Sequence, residues 1–218
     1  MKLLLIDIDG ALVDCDRLDT ECYSRAIEDV VGVKVDTDWS QYRNVTESGV
    51  LDEIIAKHEV QGSRSQIHRK VELRYLERMR EFLAENPAEL SLIQGAKEFI
   101  EQMKTRNDTH LAIATGGWES VAKLKLRTLG IDLSGITFAS SSDAMSRTEI
   151  MALAAFRAKQ DSGNTFVRRV FFGHGDWNKF ASSELGYDFV AVGDDCQHHT
   201  HIPNFVHYQS AFSQLAIH

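Results

Sequence analysis

The sequence of 218 residues is poor in proline and cysteine and has no long apolar run. Its three cysteines, Cys15, Cys22 and Cys196, form neither a CxxC pair nor an even-numbered framework, which disfavours a disulfide-stapled secreted domain and favours a reducing cytoplasm. The apolar run at residues 3–6 ends at Asp7, too early for the core of a signal peptide. No run approaches the roughly 20 apolar residues that a membrane helix requires. We therefore expect a cytoplasmic protein that does not cross a membrane.

Basic residues are too few to give the protein a positive surface. The sequence has 24 lysines and arginines against 32 aspartates and glutamates, with a formal net charge of -8. Nucleic acids and anionic membranes are bound largely through an extended positive field. We therefore expect neither as a partner, and any phosphorylated ligand would need a local binding site. The sequence does not indicate an oligomeric state.

Two hydrophobic patterns divide the chain. Between residues 15 and 86, apolar residues recur at helical spacing in three segments, the first of which ends at Gly32. From residue 87 onward, short apolar runs alternate with amphipathic segments, as in parallel sheets with helical crossovers. With the apolar run at residues 3–6, this predicts about five parallel strands in a doubly wound α/β sheet. The predicted sheet domain comprises residues 1–14 and 87–218, and residues 15–86 form a helical cap inserted after the first strand.

Two aspartates follow the first predicted strand. Asp7 and Asp9 are two positions apart and precede Gly10, which allows a sharp turn and a close approach of backbone N–H groups to an anion. In doubly wound sheets, ligands bind beyond the carboxyl ends of the strands. Paired carboxylates at such a place are typical of a hard-metal site, of an acid and base pair, or of both. A solvated strand-end cap would use the same residues, so the spacing alone leaves these alternatives open.

The segment from Leu5 to Asp14, LIDIDGALVD, resembles the first motif of the haloacid dehalogenase-like hydrolases, an apolar strand followed by DxDG[T/V]LxD. Ala11 departs from the threonine or valine that is usual in the family. The resemblance implies that Asp7 is the nucleophile and that Asp9 is the general acid and base. Dehalogenating members lack a carboxylate two residues after the nucleophile, so the resemblance favours a phosphatase.

A second segment of the chain is similar to the family's second motif. Residues 111–117, LAIATGG, form an apolar strand that ends in Thr115. The resemblance makes Thr115 a catalytic hydrogen-bond donor to the phosphoryl group, and Gly116 and Gly117 would add N–H groups at the start of a helix. Gly10 is expected to bind the same substrate. From the residues alone, Thr115 could equally be a helix cap.

A basic residue completes the implied phosphate site. Arg147 precedes an amphipathic segment and matches the third motif best, while Lys159 at the far end of that segment is the alternative. An arginine in this place could neutralise both the nucleophile and the transferred phosphoryl group. Without the other motifs, a surface arginine would be the simpler interpretation.

Residues 170–178, VFFGHGDWN, resemble the fourth motif, a strand followed by GDGxWD. In the register set by Trp177, His174 stands in place of the first metal-binding carboxylate and Asn178 in place of the second. Magnesium prefers oxygen ligands, so histidine is a poor replacement. The resemblance implies Mg²⁺ as cofactor, held by Asp7, the backbone carbonyl of Asp9, Asp176 and Asn178. Weak metal binding, or a non-catalytic phosphate-binding module, are the alternatives.

The helical block looks like the cap of the phosphoglycolate phosphatase and β-phosphoglucomutase branch. Residues 43–47, RNVTE, are similar to its substrate-facing segment, so Arg43 and Thr46 are candidates for substrate contact. A role of Thr46 as a helix cap has at least equal weight. The resemblance therefore implies a magnesium-dependent phosphatase that hydrolyses a small phosphorylated metabolite through an aspartyl-phosphate intermediate. A sugar phosphomutase is a further alternative.

Overall fold

A computed structural model describes residues 1–194 and 196–217. The strands are β1 (Lys2–Ile6), β2 (Val13–Asp14), β3 (Ser91–Leu92), β4 (Thr109–Ala114), β5 (Thr137–Ala139), β6 (Arg168–Gly173), β7 (Asp188–Val192) and β8 (His201–Ile202). The helices are α1 (Asp16–Val31), α2 (Glu47–Lys57), α3 (Arg64–Glu85), α4 (Ala96–Lys104), α5 (Glu119–Thr128), α6 (Arg147–Ser162), α7 (Asp176–Leu185) and α8 (Tyr208–Gln214). Short 3-10 helices lie at Trp39–Gln41, Pro87–Glu89 and Phe205–His207.

Six strands form one parallel sheet in the order β5, β4, β1, β6, β7, β8. The predicted doubly wound α/β fold is confirmed. The sheet has one strand more than the five predicted, because β8 pairs with β7 in a segment without a clear strand pattern. Among the described residues, no helix is long and apolar enough to span a membrane.

The central strand β1 is apolar because both faces of the sheet are covered. Leu3 and Leu5 pack in a core cluster with α6, whereas Leu4 and Ile6 belong to the cluster on the opposite face. These four side chains are at most 1% exposed. Since successive side chains of a strand point to opposite faces, one run of four apolar residues joins both cores. Burial at this level anchors β1 and fixes the position of Asp7, the next residue.

Three helices lie between β1 and β3. Helix α1 ends at Gly32, whose positive φ of 76° lets its N–H donate to the carbonyl of Glu28, as the pattern predicted. Helices α1 and α3 pack together through Tyr23 and Tyr75, whose ring centroids are 5.5 Å apart. The chain leaves for these helices at β2 and returns at β3, and the two strands pair as an antiparallel ribbon. The division of the chain into a helical cap and a sheet domain stays a prediction.

Candidate active site

Asp7 lies at the carboxyl end of β1 and is only 3% exposed. Its Oδ1 accepts the N–H of Ile8 at 2.9 Å. Its Oδ2 accepts two side-chain donors, Nη1 of Arg147 at 3.0 Å and Nδ2 of Asn178 at 2.7 Å. The fold therefore brings together three of the residues singled out from the sequence, and the nucleophile candidate is held by donors on both of its oxygens.

Arg147 is the first residue of α6, as the motif assignment required, and its helix is capped by the side chain of Ser146. Besides Asp7, its guanidinium donates to the carbonyl of Val45 at 3.1 Å, which ties the helical block to the sheet. The absence of a side chain at Gly116 leaves room for the Arg147 guanidinium, because a Cβ at residue 116 would overlap Nη2 of Arg147. The alternative, Lys159, is exposed in the last turn of α6. Arg147 is thus the cation that contacts Asp7.

Thr115 directly follows β4 and is fully buried. Its Oγ1 accepts the N–H of Gly117 at 3.2 Å, so in this structure the side chain holds the turn that follows the strand. Gly116 and Gly117 both line the cavity above Asp7. The N–H of Gly10 is directed to the carbonyl of Val13 at 2.9 Å, so the backbone donor of Gly10 serves its own turn.

Asp9 is paired with a buried lysine that the sequence reasoning did not identify. Nζ of Lys125 lies 2.7 Å from Oδ1 of Asp9 and 2.6 Å from Asp19, and the lysine side chain is completely buried. The thiol of Cys15 donates to both carboxylates, at 3.3 and 2.9 Å. A lysine buried in this way is rare unless it is paired. Here it links the turn after β1, which carries Asp9, to α1, which carries Asp19.

The charges in this cluster shift one another's pKa values. Burial alone would raise the pKa of Asp9, but the adjacent Lys125 ammonium outweighs it and holds the pKa below its usual value. For Asp19 the effect of burial prevails, and its pKa is raised. Burial would lower the pKa of Lys125, yet Asp19 and Asp9 raise it well above its usual value. The positive charge of Lys125 therefore favours the ionised form of Asp9.

A local signal for Lys125 exists in the sequence. The buried face of α5 consists of Val121, Ala122, Lys125 and Leu126, which recur at helical spacing. A lysine in the middle of an apolar helical stripe either extends its ammonium to solvent or has a buried partner. Its partners lie in the turn after β1 and on α1 and are distant in sequence, so the fold is needed to identify the pair.

The helical block contributes further polar groups above Asp7. Tyr75 of α3 donates its hydroxyl to Asp19 at 2.7 Å, and Glu47 at the start of α2 accepts the N–H of Trp118 at 2.6 Å. Burial raises the pKa of Glu47 well above its usual value, although the positive charge of Lys125 opposes the shift. Burial therefore disfavours the ionised form of the Glu47 carboxyl group.

The two candidate substrate residues of the cap differ in placement. Thr46 caps α2, because its Oγ1 accepts the N–H of Gly49 at 3.0 Å, and its hydroxyl also donates to the carbonyl of Met145 at 2.7 Å. The capping role of Thr46 is thus present, and the residue also lines the cavity. Arg43 is exposed and does not line the cavity, and its backbone N–H donates to Glu53.

The fourth motif forms the turn from β6 into α7. The imidazole of His174 lies against Gly10, which has a positive φ of 71° and where a Cβ would come within 2.6 Å of Nδ1. The ring of Trp177 meets that of His174 edge-on at 5.3 Å. Asp176 is exposed, accepts a long contact of 3.8 Å from the Cys196 thiol, and does not line the cavity. The turn after β6 thus directs the imidazole of His174, and not the carboxylate of Asp176, toward Gly10 in the turn after β1.

A cavity of about 300 Å³ lies between the carboxyl edge of the sheet and the helical block. Its floor is polar, and its upper wall carries aromatic rings. The floor residues are Asp7, Asp9, Gly116, Gly117 and Arg147, and the upper wall includes Tyr23, Trp39, Thr46, Glu47 and Tyr75. Small-molecule sites are commonly concave pockets at such junctions, with a few convergent polar groups.

Comparison with known proteins identifies the family of this chain. The sequence profile described as haloacid dehalogenase-like hydrolase matches residues 4–156, more than half of the chain. The chain belongs to the haloacid dehalogenase-like hydrolases. The predicted family and the predicted hydrolase are therefore confirmed. A search of curated proteins gave no match to this sequence.

Solved structures share the fold of this hydrolase at low sequence identity. A hydrolase from Pseudomonas syringae has a TM-score of 0.74 at 13% identity, with 99% of each chain covered. A β-phosphoglucomutase from Clostridium difficile has a TM-score of 0.71 at 14% identity, with 100% of each chain covered. A Haemophilus somnus protein described as a predicted phosphoglycolate phosphatase has a TM-score of 0.62 at 16% identity, covering 96% of this chain and 97% of that one. At these identities the likeness concerns the fold.

Phosphatases of this family generally use Mg²⁺. The donor set around Asp7 in this hydrolase does not fit that ion. Both oxygens of Asp7 accept hydrogen bonds, Asn178 presents its amide N–H₂ to Asp7, and Asp176 contacts Cys196 outside the cavity. Mg²⁺ requires a near-octahedral set of oxygen ligands and is usually bound through one or two carboxylates. The structure does not bring the predicted ligands Asp7, Asp9, Asp176 and Asn178 together as such a set.

Proposed function

We propose that this hydrolase cleaves a small phosphomonoester, with Asp7 as the nucleophile. The observation that carries the proposal is the position of Asp7, buried at the floor of the cavity and flanked by the Arg147 guanidinium and the Gly116–Gly117 turn. An arginine can bind a phosphoryl group through paired N–H donors while it neutralises the attacking carboxylate. A cavity of about 300 Å³ suits a compact substrate.

In the first step, a carboxylate oxygen of Asp7 attacks phosphorus, and the bond from phosphorus to the ester oxygen breaks. The leaving oxygen takes the electron pair of that bond and a proton from the Asp9 carboxyl group, which releases an alcohol and leaves an aspartyl phosphate. In the second step, water attacks phosphorus while Asp9 accepts a proton. The bond between phosphorus and Asp7 then breaks, inorganic phosphate leaves, and both aspartates return to their starting states.

Lys125 influences whether Asp9 is protonated in these two steps. It holds Asp9 ionised, which is the state needed to accept a proton from water in the second step. For the first step, Asp9 must bind a proton. A phosphate dianion near Asp9 favours this, because a nearby negative charge raises the pKa of a carboxyl group. Lys125 thus acts through Asp9 and is a positioning residue.

The test is release of inorganic phosphate from a panel of small phosphate esters, with and without Mg²⁺. Asp7→Asn is expected to lose at least about 1000-fold in kcat/KM, because no covalent intermediate can form. Asp14→Asn is a matched control, since Asp14 is exposed on β2 and outside the cavity. Retention of activity in Asp7→Asn would contradict the proposal. Analysis of the products from hexose phosphates would identify a phosphomutase by an isomerised sugar phosphate.

A non-catalytic phosphate-binding module is the second candidate. Two observations favour it: His174 and Asn178 replace both carboxylates of the fourth motif, and Lys125 opposes protonation of Asp9. Such a module would be stabilised by phosphate and would release none from any ester of the panel. Activity that disappears in Asp7→Asn would exclude it.

We also propose the reducing cytoplasm as the compartment of this hydrolase. Cys15, Cys22 and Cys196 are buried free thiols, and none is paired in a disulfide. The Cys15 thiol donates to Asp9 and Asp19, so oxidation would disturb the cluster beside the nucleophile. A compartment that keeps thiols reduced protects this arrangement.

A further inference from the structure

We propose that Lys125 and Arg147 take the place of a divalent cation in this site, so that it binds phosphate without metal. The inference rests on the proposed function, in which the cavity receives a phosphomonoester. It departs from the usual magnesium dependence of the family's phosphatases. Three features of the described residues carry it: the partners of Asp7, the partners of Asp9, and the replaced residues of the fourth motif.

Both oxygens of Asp7 accept hydrogen bonds from donors that belong to the protein. Arg147 and Asn178 both donate to its Oδ2, at 3.0 and 2.7 Å, and Ile8 donates to its Oδ1 at 2.9 Å. The guanidinium carries a full positive charge at any pH of interest. A cation at Oδ2 would have to displace it or lie beside it, and like charges at such short separation repel strongly.

Lys125 occupies the second place where a cation could bind. Within residues 1–194 and 196–217, one group of three acidic or thiol ligand atoms lies within 4.8 Å of one another, and it consists of Asp9, Cys15 and Asp19. Nζ of Lys125 already lies within 2.7 Å of both carboxylates of that group, and the lysine has no solvent exposure. An ammonium carries three donors and one charge. Lys125 therefore supplies one positive charge, from within the chain, to the two carboxylates of the group.

The fourth motif supports the same reading. Hard cations such as Mg²⁺ select carboxylate oxygens, and neither His174 nor Asn178 carries one. Asn178 also presents Nδ2 to Asp7, so it acts as a donor in this site. The two motif aspartates, Asp7 and Asp9, each have one cationic partner, Arg147 and Lys125. Because both motif aspartates contact a cation of the chain, less negative charge remains to attract a dication.

One observation favours a bound metal ion, and the test must therefore include a direct measurement of metal binding. Oδ1 of Asn178 is buried and has no partner among the described residues. Rotation of the amide by half a turn would direct Oδ1 at Asp7 Oδ2, and two oxygens at that distance are favourable only with a proton or a metal cation between them. The alternative outcome, a metal bound between Asp7 and Asn178, must therefore be measured directly.

The primary experiment is calorimetric titration of inorganic phosphate into protein freed of metal by a chelator, with and without added Mg²⁺. We expect the two Kd values to agree within about twofold, because the cations of the site are built in. Tightening of Kd by tenfold or more with Mg²⁺ would overturn the inference and leave the proposed function standing. Absence of binding in both buffers would overturn both. Electron paramagnetic resonance of Mn²⁺ gives an independent readout, in which the wild-type protein should leave the free-ion signal unchanged.

Two variants extend the test. The double variant His174→Asp and Asn178→Asp restores both motif carboxylates, and we expect it to bind Mn²⁺ and to make phosphate binding depend on Mg²⁺. Lys125→Met should weaken phosphate binding in metal-free buffer by at least tenfold, because Asp9 then repels the anion. Lys123→Met is the matched control on the same helix, where the lysine pairs with Glu119. Equal Kd values for Lys125→Met and the wild type would overturn the role of Lys125.

Discussion

Replacement of Lys125 by methionine should strongly destabilise the folded protein. Methionine has a similar length and fills the same space, so the change removes the charge with little loss of packing. In the folded wild type, the ammonium lies between Asp9 and Asp19 at 2.7 and 2.6 Å. The variant leaves two carboxylates next to each other without a cation.

The size of the effect follows from burial. Removal of one partner from a buried ion pair costs about 3–5 kcal/mol, because the remaining charge is uncompensated. Lys125 is completely buried, but the side chains of Asp9 and Asp19 are 30% and 22% exposed to the cavity and keep part of their hydration. We therefore expect the lower end of that range, about 3 kcal/mol in the free energy of unfolding.

The assay is urea unfolding at neutral pH, followed by circular dichroism, for the wild type and three variants. Lys123→Met should lose less than about 1 kcal/mol, as expected for an exposed pair. The double variant Lys125→Met and Asp19→Asn should recover part of the loss, because one of the two stranded charges is gone. A loss below about 1 kcal/mol in Lys125→Met, or no recovery in the double variant, would refute the reasoning.

Two further predictions concern the cavity. Glu47→Gln should become more stable relative to the wild type as pH rises. The raised pKa of Glu47 stabilises the folded wild type fully below about 4.5, the ordinary pKa of a glutamate. This contribution is lost as pH rises toward the pKa of Glu47 in the folded protein. Unfolding by urea at pH 5 and pH 8 measures this, and an equal difference at both would contradict it. Gly116→Ala should weaken phosphate binding about 10- to 100-fold and also lower Tm, because its Cβ displaces the Arg147 guanidinium from the buried Asp7. Gly117→Ala, whose Cβ has only contacts of 3.4 Å or more, should lose much less, and equal losses would contradict the prediction.

The sheet could be predicted because its strands carry local signals. The apolar run of β1 needs both faces covered, and Gly32 ends α1 by its own conformational preference. The two-residue strands β2, β3 and β8 could not be predicted in this way. Each exists only through its pairing with a strand distant in sequence or across a loop, and two residues are too few for a periodic pattern.

Some contacts of the candidate site were predictable, because parallel strands direct their carboxyl ends to one edge of the sheet. Asp7 and Arg147 meet although they are far apart in sequence. Lys125 was not found, since a lysine on an amphipathic helix is ordinarily solvated, and only the fold shows that its ammonium meets Asp9. Motif register also could not show that Asp176 turns toward Cys196, because the direction of a side chain depends on its neighbours in space.

The ribbon of β2 and β3 places the two ends of the helical block side by side, with Val13 opposite Leu92 and Asp14 opposite Ser91. Everything between them leaves and rejoins the sheet at one point. A segment whose ends are already adjacent can change in length at little entropic expense to the rest of the chain. The helical block that forms the upper wall of the cavity can therefore be replaced as a unit. Recombination at the ribbon could introduce a different helical block, and with it a different range of substrates, while the sheet that carries Asp7 folds as before.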